Sequence, residues 1–282
     1  MVSVIVPLYK GEKYVDSIIN SINKNCEIID GNNEDVELIF VNDYPEEKIN
    51  VDKSAYKINV IIIEHKINCG IQQARLTGLS IARGEYVLFL DQDDLIADNY
   101  ISRQLSCIGD ADVAVANGYR SYEDHEVELY KRNAIGRWVG NMDMFLYGTC
   151  IIFSPGQCLI KKSSIPSIWS DMILDKNGSD DYLLWLLMLK NNCKFIYNHE
   201  RLYFHNEHAK NFSSSTDSML QAFEDVVKKI EKSTFFSIKE KNILRKRYEI
   251  KKYRNSTRMI LLLLCNYKIF IYTVLYKLLG YH

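Results

Sequence analysis

The chain has 282 residues, of which 47% are hydrophobic and 25% are charged. This length and composition allow one large domain, or one domain with an extension, and exclude a globally disordered, repetitive or linker-rich chain. The formal net charge is only −1, but residues 239–282 contain eleven Lys or Arg and two Glu, a net charge of +9 that leaves −10 on the remainder. This asymmetry predicts a C-terminal region with a partner of its own.

The cysteine pattern and the first residues indicate the cellular compartment in which the chain is expected. Seven cysteines are present, and no two form a C-x-x-C pair. Neither a zinc site nor a disulfide framework is indicated, and free thiols in a reducing cytosol are expected. Residues 1–7 have no basic leader and no cleavage site, so a signal peptide is not expected.

The first hundred residues alternate between strand-like and helix-like patterns, which predicts an α/β fold with βαβ units on a mostly parallel sheet. Apolar, β-branched runs predict strands at residues 2–7, 36–41, 58–63 and 86–90. Helical spacing of apolar residues predicts helices at 15–22 and 70–82, with Gly84 as the C′ residue of the second. Ligands of such sheets bind beyond the carboxyl ends of the strands, so polar tips at 7–9, 42–43 and 91–93 are expected to converge on one crevice.

The remaining residues have a mixed pattern and then a helical one. Strands are predicted at residues 112–116, 158–161, 194–197 and 201–204. An intensely apolar helix is predicted at residues 182–189, and the chain is expected to be helical from about residue 216 onward.

Three carboxylates in four residues follow the fourth predicted strand: Asp91, Asp93 and Asp94. Ionised carboxylates this close repel one another, and hard oxygen ligands at a strand tip suit Mg²⁺ or Mn²⁺. A metal held there would stabilise negative charge on a leaving diphosphate. A turn or a helix N-cap is the alternative interpretation of the same residues.

Seven other residues have both a structural and a chemical interpretation. Asp43 either closes an Asx-turn or accepts a hydrogen bond from a base N–H. One of Asp180 and Asp181 could cap the following helix, and a partly desolvated carboxylate there could take a proton from a hydroxyl. His205, in the run His205-Asn206-Glu207-His208, is either structural or a metal or phosphate ligand. Trp138, Trp169 and Trp185 could stack on a sugar, although core packing is the default for each.

The C-terminal residues combine positive charge with apolar runs. Residues 239–258 are basic, and the apolar runs 259–265 and 269–276 follow, interrupted by Asn266 and Lys268. A membrane span needs about 20 nearly uninterrupted apolar residues, so an interfacial helix on an anionic membrane surface is favoured. The apolar continuation argues against nucleic acid as the partner. A helix that packs back on the catalytic domain is the alternative.

Together the motifs resemble the family 2 glycosyltransferases, which have the GT-A fold. Residues 2–9 look like the family's V-S-V-I-[VI]-P-x-Y-N start, with Lys10 in place of Asn, and residues 41–45 look like V-D-D-G-S. Residues 68–78 resemble N-x-G-x-x-x-A-R-N-x-G, residues 84–94 resemble G-x-Y-[IV]-x-F-L-D-x-D-D, and residues 180–185 resemble E-D-x-x-L-W. The departures are Asn42 for the first Asp, Tyr44-Pro45 for Gly-Ser, and Asp180 for Glu.

The resemblance implies a role for each matched residue. Asp181 would be the general base of a single inverting displacement, with Asp180 beside it. Asp93 would bind Mn²⁺ or Mg²⁺, with Asp91 and His205 as further ligands. The residues implied in binding the nucleotide sugar are Pro7, Tyr9, Asp43, Arg75, Asp91 and Gln92, and those implied in binding the acceptor are Asp180, Trp185 and Gln157.

The resemblance also implies the reaction and its place. Residues 1–215 would be a GT-A catalytic domain, with a nucleotide-sugar-binding half at 1–110 and an acceptor half at 111–215, and residues 216–282 would associate with a membrane. The expected reaction transfers a hexose, with UDP-Gal or UDP-Glc as the guessed donor, to a lipid-linked saccharide acceptor such as GlcNAc- or GalNAc-diphosphate-undecaprenol. O-antigen or capsule assembly at the cytoplasmic face of the inner membrane is the expected setting. The rival interpretations are a non-catalytic sugar-binding or scaffold protein and a nucleotidyltransferase.

Overall fold

A computed structural model describes residues 1–29, 35–51, 56, 58–131, 133–207, 215–254 and 256–278, with the backbone alone for residues 133 and 135. Its centre is one nine-stranded sheet. In the first half of the sheet, strands β1 to β4 are parallel and lie in the order β3-β2-β1-β4. Their bounds are β1 Val2–Leu8, β2 Val36–Asn42, β3 Asn59–Glu64 and β4 Tyr86–Phe89.

The connections of this half follow the predicted alternation. Helix α1 (Val15–Ile28) links β1 to β2, and helix α2 (Ile71–Ile81) links β3 to β4. Every residue of β1 and β2 is buried, which explains why these strands are mostly apolar rather than alternating; the buried polar residues Ser3 and Glu37 hydrogen-bond to each other at 2.6 Å. The predicted strands, helices and parallel order of this half are confirmed.

The second half of the sheet is mixed. Strand β8 lies between β4 and β6 and is antiparallel to both, and β9 runs parallel to β6. The short strands β5 and β7 pair with β9 and β6. The remaining elements in chain order are β5 Leu95–Ile96, α3 Tyr100–Ile108, β6 Val113–Ser121, β7 Glu126–Glu128, β8 Cys158–Lys161, α4 Ile168–Asp171, α5 Asp180–Lys190 and β9 Phe195–Asn206.

Two sequence predictions need correction. Residues 194–197 and 201–204 were expected as separate strands, but both belong to β9, whose pairing with β6 shifts register near Asn117. The polar residues 198–200 do not interrupt the strand. Asn198 is buried, and its side-chain amide donates to the side-chain oxygen of Gln104 at 3.1 Å. Gly84 is not a C′ residue, since α2 ends at Ile81. A Cβ on Gly84 would lie 2.6 Å from the backbone nitrogen of Ser3, so close packing requires the glycine.

Four helices follow the sheet: α6 Thr216–Lys232, α7 Ile238–Lys252, α8 Thr257–Cys265 and α9 Tyr267–Leu278. Ser237 and Glu240 form a capping box that starts α7. Among the described helices, none alone is long and apolar enough to cross a membrane. Helices α8 and α9 pass that test only as a pair, and they meet at a bend of 108°.

Helix α9 is only partly packed against the rest of the molecule. Ile269 is buried, and the ring of Tyr272 stacks on Tyr147 with 5.7 Å between centroids. Tyr147 belongs to a one-turn π-helix, Met144–Gly148. Large apolar side chains of α8 and α9 nevertheless face solvent, among them Leu261 and Leu264. One face of this region therefore packs on the catalytic domain, as the alternative interpretation expected, and the other face is exposed; an interfacial role for the exposed face stays a prediction.

Candidate active site

A buried arginine joins the tip of β4 to helix α5. Arg75, on α2, donates from Nη1 to Oδ2 of Asp180 at 2.6 Å and from Nη2 to Oδ1 of Asp91. Burial opposes its charge, but Asp180 and Asp91 outweigh that effect and raise the pKa of Arg75, so the guanidinium stays ionised. Three sequence-predicted residues from distant parts of the chain are thus brought together.

Replacing Arg75 with methionine is expected to destabilise the protein by about 3–5 kcal/mol, because two carboxylates lose their shared buried cation. The free energy of unfolding, measured in urea, checks this. The double variant Arg75→Met/Asp180→Asn should recover part of the loss, since the more buried carboxylate is then neutral. Equal stability of Arg75→Met and wild type would contradict the arrangement.

Asp181 lies next to this ion pair at the start of α5. Unlike Asp180, which is buried, Asp181 is partly exposed and can therefore reach a bound molecule. Desolvation, followed by the charge of Asp180, raises the pKa of Asp181 to about 7. A carboxylate with this pKa can both accept and release a proton near neutral pH, as a general base must.

The three carboxylates of the acidic turn after β4, those of Asp91, Asp93 and Asp94, lie in different environments. Asp94 is buried and accepts hydrogen bonds from the hydroxyl of Tyr203 and from the backbone nitrogen of Asn206, the latter at 3.2 Å, so it fixes the turn to β9. Asp93 is partly exposed, and burial together with its acidic neighbours raises its pKa to about 6. Asp91 is already bonded, to Arg75 and, at 3.3 Å, to the hydroxyl of Ser154.

His205 lies beside this turn and contacts it through Asp94. Its Nδ1 lies 2.9 Å from Oδ1 of Asp94, while its Nε2 is buried and has no hydrogen-bond partner among the described residues. A histidine held through one nitrogen by a carboxylate commonly offers the other to a metal. These residues therefore fit a divalent cation that would be held by Asp93 and His205. His208 lies outside the described residues.

A second cluster could also hold a metal ion. Within the described residues, the three ligand atoms that lie within 4.8 Å of one another belong to Asp43, His65 and Cys69, and not to the acidic turn. Here, however, the groups satisfy one another. The carboxylate of Asp43 accepts from the backbone nitrogens of Cys69 and Gly70, both at 2.7 Å, and from Nδ1 of His65 at 2.8 Å. The cluster fixes the loop that precedes α2.

The contacts of Asp43 also resolve one of the open alternatives. The side-chain oxygen of Asn42, rather than that of Asp43, accepts from the backbone nitrogen of Tyr44 at 3.1 Å and so makes the Asx-turn. Each carboxylate oxygen has two acceptor sites. Asp43 can therefore organise its loop and still accept one more N–H from a ligand.

The tips of β1 and β4 are joined directly. The backbone nitrogen of Tyr9 donates to the side-chain oxygen of Gln92 at 2.9 Å, and the Gln92 amide donates back to the Tyr9 carbonyl at 3.2 Å. Pro7 is buried in β1, whereas the ring of Tyr9 is 46% exposed and meets Tyr44 edge-on. The predicted convergence of strand tips is confirmed, and it leaves an exposed aromatic pair beside the crevice.

All three residues predicted to contact an acceptor are buried: Asp180 is held by Arg75, and the other two lie inside the fold. Trp185 is fully buried in α5 and packs edge-on against Phe195. Gln157 is also fully buried; its side chain accepts from the backbone nitrogen of Phe153 at 2.6 Å and donates to the carbonyl of Ala116 at 2.8 Å. The sequence prediction failed here because α5 is buried on nearly all sides, so its apolar pattern marks no exposed face.

One residue near the site was missed from the sequence. Arg247, on α7, is buried and donates to the hydroxyl oxygen of Tyr182 at 2.6 Å and to the carbonyl of Leu146 at 3.1 Å. It also donates to the carbonyl of Phe145, which accepts from the Tyr182 hydroxyl at 2.7 Å. A single arginine within a basic run gives no sequence signal for such a role. Arg247 ties the C-terminal helices to the residue that follows Asp181.

Replacing Arg247 with methionine is expected to lower the free energy of unfolding by about 1–3 kcal/mol, because buried carbonyl oxygens lose a donor. Arg245→Met is the matched control: Arg245 is exposed on the same helix, and its loss should cost less than about 0.5 kcal/mol. Thermal or urea unfolding of the two variants distinguishes them. Equal effects would show that Arg247 acts only as a surface charge.

Solved structures with the same architecture identify the class of fold. The S. aureus TarS structure in complex with UDP-GlcNAc superposes with a TM-score of 0.61 at 18% identity, covering 90% of this chain and 73% of that one. The mannosyltransferase PcManGT from Pyrobaculum calidifontis, in complex with GDP-Man and Mn²⁺, gives a TM-score of 0.59 at 14% identity, covering 99% and 84%. The chain therefore has the GT-A fold of glycosyltransferases.

The amino-acid sequence identifies the family. The model of Glycosyl transferase family 2 matches residues 3–169, more than half of the chain, so this protein belongs to that family. The glycosyltransferase GlyG of Streptococcus pneumoniae serotype 4 is 29% identical over 135 residues, which are 46% of this chain and 42% of GlyG. The chain thus aligns with less than half of the length of that relative.

Proposed function

We propose that this glycosyltransferase moves a hexose from a metal-bound nucleoside diphosphate sugar to a hydroxyl of an acceptor sugar, with inversion at the anomeric carbon. The observation that carries the proposal is the ion pair of Arg75 with Asp91 and Asp180. It fixes the β4 tip, where the donor would bind, against the start of α5, where Asp181 lies. A donor site and a base on opposite sides of one crevice suit an in-line displacement.

In this reaction Asp181 takes the proton from the acceptor hydroxyl as its oxygen attacks the anomeric carbon. The nucleoside diphosphate leaves from the opposite face with the electron pair of the broken bond. A UDP-hexose with an α-linkage would therefore give a β-linked product. The raised pKa of Asp181 supports this role, because a base with a pKa near the working pH is effective and is still ionised in part of the population.

A divalent cation, Mn²⁺ or Mg²⁺, would bind at Asp93 and His205 with Asp91 nearby, and would neutralise the leaving diphosphate. The buried Nε2 of His205, which makes no hydrogen bond within the described residues and lies 3.8 Å from a carboxylate oxygen of Glu207, supports this assignment. Asp43, the exposed ring of Tyr9 and the Tyr9–Gln92 pair would surround the base and ribose of the donor, as the family resemblance implies. UDP-Gal or UDP-Glc is the proposed donor.

The proposed acceptor is a saccharide linked to a lipid diphosphate, such as GlcNAc- or GalNAc-diphosphate-undecaprenol, during O-antigen or capsule assembly. The exposed apolar side chains of α8 and α9 support the proposal that the enzyme acts while bound to a membrane surface, here the cytoplasmic face of the inner membrane. The net charge of +9 on residues 239–282 also suits an anionic membrane surface.

A donor panel tests the proposal. Purified protein is incubated with Mn²⁺, a synthetic GlcNAc- or GalNAc-diphosphate-lipid acceptor and one of several UDP- or GDP-sugars, and products are read by mass spectrometry. One UDP-hexose is expected to add a single hexose to the acceptor. Binding of a UDP-sugar without transfer to any acceptor would favour a sugar-binding protein, and absence of both would contradict the proposal.

A further inference from the structure

A cleft of about 550 Å³ lies between α7 and the corner at which α8 turns into α9. Its charged lining is entirely basic: Lys239 and Lys246 come from α7, and Lys268 comes from α9. The amides of Asn242 and Asn266 line it as well. Lys239, Asn242 and Lys246 recur at i, i+3 and i+7, so α7 presents them on one face.

The described residues leave these lysines without an acidic partner. None of the three forms an ion pair with another described residue, and Lys268 lies over the ring of Tyr147 at 5.3 Å. The neighbouring carboxylate of Glu240 is committed elsewhere, since it accepts from Lys190 at 2.7 Å and from the Ser237 hydroxyl at 2.7 Å. Three cations converge on a cleft that supplies no anion, so an anionic ligand is the chemistry that fits it.

Exposed apolar side chains surround this cleft. Ile238 is 79% exposed, Leu264 is 70% exposed and Tyr267 is 66% exposed, although all three are large and apolar or aromatic. The exposed apolar surface continues along α8 and α9 through Ile260, Leu261, Phe270, Ile271, Val274 and Leu278. A contiguous surface of this kind marks an interaction site rather than scattered exposure.

The charge pattern of the same helices indicates that the partner is an anionic membrane surface. Residues 250–282 contain six Lys or Arg and no Asp or Glu. An anionic bilayer surface accepts uniform positive charge next to inserted Leu, Ile, Phe and Tyr side chains, with lysine stems reaching outward to phosphate. The bend of 108° also suits two short helices that lie in an interface rather than one that crosses it.

We propose that the cleft of Lys239, Lys246 and Lys268 binds the phosphate of an anionic membrane lipid head group, while the outer faces of α8 and α9 enter the interface. This inference rests on the membrane association proposed above and assigns it a binding site. Helix α9 contacts the π-helix Met144–Gly148 through Tyr272 and Tyr147, and Arg247 holds that π-helix to Tyr182. Binding of the lipid therefore orients the crevice at Asp181 relative to the membrane surface.

Flotation of the full chain with vesicles tests the site. Wild-type protein is expected to float with vesicles of phosphatidylcholine and phosphatidylglycerol and much less with phosphatidylcholine alone. The variant Lys239→Gln/Lys246→Gln/Lys268→Gln should bind the anionic vesicles roughly a hundredfold more weakly, as three lysines near an anionic surface predict. The control Lys131→Gln/Lys194→Gln/Lys232→Gln removes the same charge from exposed positions outside the cleft and outside residues 250–282, and should lose less than about tenfold.

The outcomes separate this inference from the proposed reaction. Equal losses in the two triple variants, or equal binding to neutral and anionic vesicles, would overturn the site. Displacement of the protein by glycerol phosphate at the concentration of the lipid would also overturn it, because a soluble phosphate would then suffice. Turnover on a lipid-free acceptor is measured separately: if it is absent while vesicle binding depends on the cleft, the reaction is refuted and the lipid site stands.

Discussion

The variant Asp181→Asn is expected to lower kcat by about 10²–10⁴-fold, the contribution typical of a general base. Asparagine keeps the size of the side chain and cannot accept the proton of the acceptor hydroxyl. Donor binding should change little, because Arg75 continues to join Asp180 and Asp91. The measurement is steady-state transfer with a saturating donor, and Asp171→Asn, which removes an exposed carboxylate on α4, is the control.

The dependence on pH gives the same prediction a second readout. Burial and the charge of Asp180 raise the pKa of Asp181 to about 7, and only the ionised form is a base. Wild-type kcat should therefore fall roughly tenfold for each pH unit below that value, and the residual activity of Asp181→Asn should lack this step. A wild-type profile that stays flat through neutral pH would contradict the assignment of Asp181.

The ionised carboxylate of Asp181 is also expected to lower the stability of the folded protein. Its pKa in the folded protein is raised above the ordinary value, so the folded state binds the proton more tightly than the unfolded chain does. The contribution of Asp181 to stability is then most favourable at acid pH and is lost as the pH rises through about 7. Asp181→Asn should consequently raise Tm at pH 8 while it removes activity, which a purely structural residue would not do.

The variant Asp93→Ala is expected to lower turnover by roughly a thousandfold or more, because a bound cation contributes several kcal/mol to stabilising the charge of the transition state. Chelation of divalent metal from the wild-type enzyme should have the same effect. Burial and neighbouring carboxylates raise the pKa of Asp93 to about 6, and protons therefore compete with the metal below that pH. Affinity for Mn²⁺, measured by calorimetry, should weaken as the pH falls through that value.

Two further variants make the metal prediction specific. His205→Ala should weaken Mn²⁺ binding, because it removes a buried ring nitrogen that has no hydrogen-bond partner among the described residues. Asp98→Ala removes an exposed carboxylate close by in the sequence, 58% exposed and paired with Lys24, and should leave both affinity and turnover unchanged. Full activity of wild-type protein in excess chelator would refute metal dependence.

The first half of the fold could be predicted because its signals are local. Strands β1 and β2 are buried on both faces and consist mostly of apolar residues, interrupted by the hydrogen-bonded pair Ser3 and Glu37, and the polar residues at their ends mark the crevice. The short range from Tyr86 to Asp94 contains both a strand and its acidic tip. Because the carboxyl ends of parallel strands lie at the same edge of the sheet, strand tips that are far apart in sequence could be predicted to converge.

In the second half the strands, helix α5 and the C-terminal helices were also largely predicted, but the environment of individual side chains was not, because their contacts are long-range. Helix α5 is apolar on almost every side, and no periodicity could tell that Trp185 faces the core. Gln157 was predicted to bind the acceptor sugar, but its side-chain amide is hydrogen-bonded to backbone groups of β6 and of its own turn. Arg247 meets carbonyl oxygens about one hundred residues away in sequence, and only the tertiary fold brings them together.

The most direct test of inverting transfer is the anomeric configuration of the product, read from proton coupling constants by NMR after wild-type enzyme has acted on a UDP-hexose and the lipid-diphosphate acceptor. The proposed single displacement with Asp181 as the base predicts one new β-linked hexose, and no product from Asp181→Asn on the same timescale. An α-linked product would contradict the single displacement with Asp181 as the base.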